Sequence, residues 1–299
     1  MTEYLGVSLS ALDVAPVWSD SSATQALRDT IALAERVEEL GYARFWIAEH
    51  HNVPSLATAA TPVLIAAVAG ATSTIRVGSG GVTLPNHPPL VVAEQFGTLE
   101  ALHPGRIDLG VGRAPGSVNP LTAQLLRRAG NTDEDFRGQL AELAGSLGLP
   151  YAYAHHINPL ATVESLAAYR ESFRPSTWSA QPHVILAALV FADDTDDDAR
   201  ELAAPFLAGQ VHMRAGHLDA LFPTPAEAAD FAFTPAQREW ADDRLGRQLW
   251  GSPSRLRDQL ADLFRATEAD ELMAVTMVHD QGRRIHSYEL LATAVGQPG

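Results

Sequence analysis

The sequence contains no cysteine, and all 21 of its basic residues are arginine, so lysine is absent as well. Without cysteine there is no thiol nucleophile, disulfide framework, thiolate zinc site or iron–sulfur cluster. Without lysine there is no Schiff-base catalyst and no P-loop lysine. Positive charge is scarce overall: 36 acidic side chains leave a net charge of −15, which opposes nucleic acid or an anionic membrane surface as the main partner. Long apolar runs are missing too. No stretch of about 18 uninterrupted apolar residues occurs, and the first residues, MTEYLGVSLSALD, lack a basic signal-peptide pattern. A cytoplasmic protein is expected. Aromatic residues make up only 7% of a chain that is 46% hydrophobic, so the core is built mainly from Ala, Val and Leu.

What is present is a strict alternation of strand-length apolar runs with longer segments of helical period. Strands are predicted at 4–12, 43–49, 75–84, 106–112, 151–155, 183–192 and 271–278; helices at 23–40, 60–71, 89–102, 162–173, 196–208, 253–266 and 284–295. Strands apolar on both faces, alternating with helices, imply an α/β fold with a parallel sheet covered by helices. No linker rich in Pro, Gly or Ser interrupts the pattern, so residues 1–299 read as one domain. Seven strands are visible where a TIM (β/α)8 barrel needs eight. The shortage lies between residues 113 and 150, where Phe136, Leu140, Leu143 and Leu147 keep helical spacing. Either the strand is truly deleted or the protein carries more residues there; a barrel without it would expose two edges, which favours the second, and an intact mass of 32.0 kDa would decide for the first.

In parallel α/β architectures ligands sit at the carboxyl ends of the strands, and the unusual residues collect there. His50, His51, His87, His155, His156 and His279, six of 11 histidines, fall at or just beyond strand ends and predict a shared pocket. His50 is a candidate acid–base group because imidazole titrates near neutrality. His50 and His51 should point to opposite faces of an extended chain, which disfavours a histidine metal site; no metal is expected. The same rule places Phe45 and Trp46 in the core on opposite faces. Ser79, Gly80 and Gly81 weaken a strand pattern; either a bulge turns the wall there or a flat ligand lies against bare backbone. The run from Gly110 through Gly112 and Arg113 to Gly116 has its third glycine one position too late for a dinucleotide turn, but Arg113 offers a fork of donors to phosphate or carboxylate. Asp193, Asp194, Asp196, Asp197 and Asp198 lack the spacing of a calcium loop and are read as complementing a helix N-terminus.

The segments FWIAEHHN (45–52), RVGSGGVTLPNHPPLVVAEQFGTLEALHPGRIDLGVGRAPG (76–116) and ADELMAVTMVHDQGRRIHSYELLA (269–292) resemble the bacterial luciferase-like flavin monooxygenases, in particular their stand-alone, biosynthesis-associated branch. The resemblance covers nearly the whole chain. It implies a TIM barrel that binds reduced FMN at the C-terminal face and uses O2 to oxygenate a small organic substrate through a C4a-peroxyflavin. A separate flavin reductase would supply the reduced cofactor, and a homodimer is expected. Position by position, His50 matches the histidine that assists catalysis beside the flavin. Gly80 and Gly81 match a bulge, often with a non-prolyl cis peptide, on which the isoalloxazine ring rests. Arg113 matches the arginine that meets the flavin phosphate, and Gly112 stands where luciferase has a reactive cysteine. His155 and His156 are expected to line the substrate pocket. The departure is the missing fifth strand, whose serines hold the phosphate in the family. An F420-dependent oxidoreductase of the same fold, a non-catalytic flavin-binding protein and a metal-dependent hydrolase are the alternatives.

Overall fold

In the computed structural model, which describes residues 7–112, 122 and 144–296, the apolar runs form parallel strands and the amphipathic runs form the helices that cover them. β1 (Ser8–Asp13) leads into α1 (Ala23–Glu39). Ser22 caps this helix by accepting from the Gln25 N–H, and Ala26, Thr30, Leu33, Ala34 and Val37 form its buried stripe. Gly41, at φ +77°, then turns the chain into β2 (Arg44–Ile47). There follow α2 (Thr61–Ala71), β3 (Arg76–Thr83), α3 (Pro89–Leu102) and β4 (Ile107–Gly112). The chain continues through β5 (Tyr151–Ala154), α4 (Thr162–Ser172), β6 (Val184–Ala192) and α5 (Asp196–Arg214). It ends with α6 (Pro225–Ala229), α7 (Pro235–Gly246), β7 (Leu249–Gly251), α8 (Pro253–Thr267), β8 (Glu271–Val275) and α9 (Gln281–Val295).

The strands are ordered β4-β3-β2-β1-β8-β6-β5, every pair parallel, and β7 pairs with β6 outside this path. Among the described residues this is the order of a (β/α) barrel, with no pairing between β4 and β5. Seven strands on the path agree with the seven predicted ones, and that place is where the eighth was missing. Phe136, Leu140 and Leu143 lie outside the described residues, as does Arg113. The predicted helix at 196–208 runs on to Arg214 through Pro205. Thr195 is its cap, and Asp196, Asp197 and Asp198 occupy the first turn, as helix-dipole electrostatics favours. Residues 209–251 hold the end of α5, two capped helices and β7, which pairs with β6. Among the described residues no helix is long and apolar enough to cross a membrane.

Alternation along the strands divides the core in two. Leu9, Ala11, Phe45, Ile47, Val77, Leu272 and Ala274 pack outward against the helices. Leu12, Trp46, Ile185, Ala187, Leu189, Met273 and Val275 pack within the curve of the sheet. Phe45 and Trp46 thus take opposite faces. At the amino ends of the strands the bore is closed by an ionic network. Arg44 donates to Asp108 Oδ2 at 2.7 Å and to Glu271 Oε1 at 3.1 Å. Arg76 Nε and Trp46 Nε1 reach the same Asp108 at 3.0 Å each, and His183 Nε2 reaches Glu271 Oε2 at 3.3 Å. With that end filled by paired charges, the open chemistry is left to the carboxyl ends.

Candidate active site

The wall formed by β3 and β4 has almost no side chains on its inner face. Asp108 points inward at the base of β4, so Gly110 and Gly112 share its face; on β3, Gly78 and Gly80 alternate in the same sense. The indole of Trp46 fills the space this leaves low in the bore. A Cβ built on Gly78 would stand 3.0 Å from Trp46 Nε1, and one on Gly80 would meet Leu12 Cδ1 at 2.8 Å and Trp46 Cε3 at 3.0 Å. At Gly112 the nearest described atom to such a Cβ is Val82 O at 3.9 Å, so among the described residues nothing crowds the wall at its carboxyl end.

The β3–β4 register shifts between Ser79 and Val82, and the Gly80–Gly81 peptide within that bulge is cis. Ser79, expected to contact a cofactor, is fully buried and engaged across the bulge. Its Oγ donates to Gly110 O at 2.8 Å and accepts from Gly110 N at 3.1 Å. The hydroxyl therefore fastens β3 to β4, and only the glycine backbone beyond it is presented to the bore.

His50 lies three residues past β2, at the carboxyl end of the strands. Its own N–H donates to Thr58 O at 3.0 Å, and its Nδ1 meets Thr58 Oγ1 at 3.2 Å. Burial, reinforced by the neighbouring His51 and only partly offset by Glu49, lowers its pKa to about 4, so the ring is neutral at pH 7. His156 is brought to the same place from β5. Burial also lowers its pKa to about 4, with the charges of Arg244, His155 and His50 adding to the effect. Its Nδ1 lies 3.1 Å from Ala187 O. A carbonyl only accepts, so Nδ1 carries the proton and Nε2 is left as an unprotonated acceptor.

His155 behaves differently from its neighbour. Its Nδ1 meets Thr162 Oγ1 at 2.8 Å and its Nε2 meets Arg247 O at 3.2 Å. Both nitrogens tie β5 to α4 and the end of α7, whereas it is His156 on which the charge of His50 acts. His279, at the end of the last strand, pairs with Asp20 at 3.0 Å instead.

Two residues not singled out in the sequence belong to this region. Arg244 is half-buried, donates to His156 O at 2.6 Å and has no carboxylate partner among the described residues. Burial lowers its pKa. Glu49 is 5% exposed and gathers His51, His87 and Thr83 around one carboxylate oxygen. Burial works to raise its pKa, but the donors from Thr83, His87 and His51 outweigh it and keep the carboxylate ionised. The alternation in Glu49-His50-His51 was the available signal: the outer two share a face and the middle one takes the other.

A sequence profile described as luciferase-like monooxygenase matches residues 8–133 and 136–271. The break falls inside the interval where the eighth strand was missing. A luciferase-like monooxygenase of Escherichia coli (strain K12) is 36% identical over 321 aligned positions, covering 95% of this chain and 96% of that protein. Those positions outnumber the 299 residues of the chain, so the relative has residues that this chain lacks. Among solved structures, apo-MsnO8 superposes with a TM-score of 0.88 at 37% identity, covering 98% of this chain and 99% of that one. The oxygenating constituent of 3,6-diketocamphane monooxygenase of Pseudomonas putida, solved with FMN, shares the fold at a TM-score of 0.69 and 19% identity over 97% of this chain and 98% of that one. An F420-dependent secondary alcohol dehydrogenase shares it at 0.59 and 15%, over 97% and 99%. With a profile spanning most of the chain and a relative matched from end to end, this protein belongs to the luciferase-like monooxygenase family.

Proposed function

We propose that the protein is the oxygenase half of a two-component system, using reduced FMN delivered by a separate reductase, and O2, to oxygenate a small organic substrate. The observation that carries this reading is the pairing of a bare backbone shelf with neutral imidazoles. Gly80, Gly81 and Gly112 leave one wall free of side chains, and His50 and His156, at the same carboxyl end of the strands, are uncharged at pH 7. The residues fit a flat ring system: the bare glycine backbone would hold one side of it, and Trp46 and Leu12, lower in the bore, would keep water out. Arg113, matched through the family resemblance, and Arg244 are the candidates for the cofactor phosphate. Bound reduced flavin would supply the electrons that activate O2.

The chain's own contribution is to position, desolvate and move a proton. Thr58 engages His50 Nδ1, which leaves Nε2 to exchange a proton with a reacting oxygen. A ring with a pKa near 4 gives up that proton readily once charged. His156 Nε2 accepts a hydrogen bond from a substrate hydroxyl or from water, and so orients what enters. A homodimer is part of the same reading.

Anaerobic titration with reduced FMN and reduced F420 tests the cofactor, and turnover under oxygen-18 gas with a generic flavin reductase tests the reaction. Tight binding of reduced FMN with label appearing in product is expected. Binding of F420 alone would overturn the assignment in favour of a dehydrogenase or reductase; binding of FMN with no labelled product from extracts of the producing cell would favour a non-catalytic flavoprotein.

A further inference from the structure

We propose that Glu49, His51 and His87 form a binding site for one divalent transition-metal ion, apart from the flavin-binding shelf. The expectation of no metal rested on the divergence of His50 and His51. That divergence is present, but it sends His51 to the same side as Glu49, and the turn after β3 brings His87 to meet them. His51 Nε2 lies 2.7 Å from Glu49 Oε1 and His87 Nε2 lies 2.8 Å from the same atom. The three ligand atoms all lie within 4.8 Å of one another.

The arrangement is crowded in a way that hydrogen bonding alone does not reward. Thr83 Oγ1 also donates to Glu49 Oε1, and Thr83 N approaches it at 3.3 Å. Four donors thus converge on one oxygen, which has two lone pairs. A cation placed between the three ligands replaces the two Nε2 protons and takes the electron pairs they occupy. Two imidazoles and a carboxylate suit Zn2+, Fe2+ or Co2+ rather than Mg2+ or Ca2+, and leave a fourth position for water. With bonds of about 2.1 Å, tetrahedral ligand atoms stand roughly 3.4 Å apart. The site must therefore open by about half an ångström. His87 sits beyond a 3-10 turn, at Leu84–Asn86, and can supply that movement.

Such an ion would tie the loop after β2 to the turn after β3, on either side of His50 and the Gly80–Gly81 shelf. The proposal is independent of the flavin reading, because it is read out by metal binding and not by turnover. The full chain is stripped with chelator and dialysed against Zn2+, and separately against Co2+ for its visible absorption. One ion per chain is expected, with a Kd well below about 100 µM. His51→Ala and His87→Ala should each weaken binding by about tenfold or more. His286→Ala, in the separate Asp193, Asp194 and His286 group, should not. Binding weaker than that, binding that survives both substitutions, or binding lost with His286→Ala would overturn the site. Circular dichroism confirms folding of each variant, and His87→Gln carries the test should His51→Ala not fold.

Discussion

Two glycines on one face of β4 separate packing from function. Gly110 and Gly112 both face the bore, yet an added methyl meets very different surroundings. At Gly110 it would stand 2.1 Å from Ser79 O. The obstacle is backbone, so relief requires β3 and β4 to part, at the expense of the two hydrogen bonds that Ser79 Oγ makes with Gly110. Overpacking of this kind costs about 1 to 3 kcal/mol, and each hydrogen bond about 1 kcal/mol. Gly110→Ala should therefore lose about 3 to 5 kcal/mol, or roughly 6 to 20 °C in Tm for a domain of this size. At Gly112 the nearest described atom is 3.9 Å from the new methyl, so Gly112→Ala should hold its Tm within about 2 °C. The methyl would nevertheless occupy the bare wall, and anaerobic fluorescence titration should show reduced-FMN affinity falling by about tenfold or more. Equal loss of Tm in both variants would refute the inner-wall geometry; wild-type flavin affinity in Gly112→Ala would refute the shelf as the cofactor site.

Three further outcomes are expected. His50→Gln should keep flavin binding but raise the share of O2 consumed without product, with product formation falling about a hundredfold; unchanged coupling removes His50 from the chemistry. Glu38 accepts N–H bonds from Ile75, Thr74 and Ser73, which overcome the opposing effect of burial and lower its pKa from 4.5 to about 2. Its contribution to stability is therefore complete above pH 4.5 and lost as pH falls toward 2, so Glu38→Gln should flatten the acid limb of urea midpoint against pH, and an unaltered limb would contradict the pairing. Arg44→Met leaves Glu271 and Asp108 short of a buried counter-charge and should cost about 3 kcal/mol in urea unfolding; a neutral result would mean that His183 and Arg76 suffice.

The β/α alternation was legible because each strand is long enough to show its period and each helix carries a stripe. β7 was not: Leu249, Trp250 and Gly251 are too few to show alternation, and their pairing with Val190, Phe191 and Ala192 is a tertiary fact. Histidines at strand ends marked the right region, but type alone did not say where each ring turns. The rule that separated His50 from His51 also separates His155, tied to Thr162 and Arg247, from His156, tied to Ala187. Ser79 was grouped with Gly80 and Gly81 because sequence could not tell a wall-turning bulge from a ligand shelf; in the structure its hydroxyl is engaged by Gly110 of β4. Arg244 gave no signal, since its helix follows no strand and its importance comes from lying under the His156 carbonyl.

The glycine wall also constrains how this enzyme can change. A side chain already reduced to hydrogen cannot be shortened, so every substitution at the inward glycines of β3 and β4 subtracts room from the bore. Enlargement and reshaping are left to the facing wall, where Ile185, Ala187 and Leu189 on β6 and Met273 and Val275 on β8 offer methyl and methylene groups to remove or add. Divergence toward a new substrate would thus be written on one half of the barrel while the other half stays fixed, and a library aimed at altered specificity should be confined to that adjustable half.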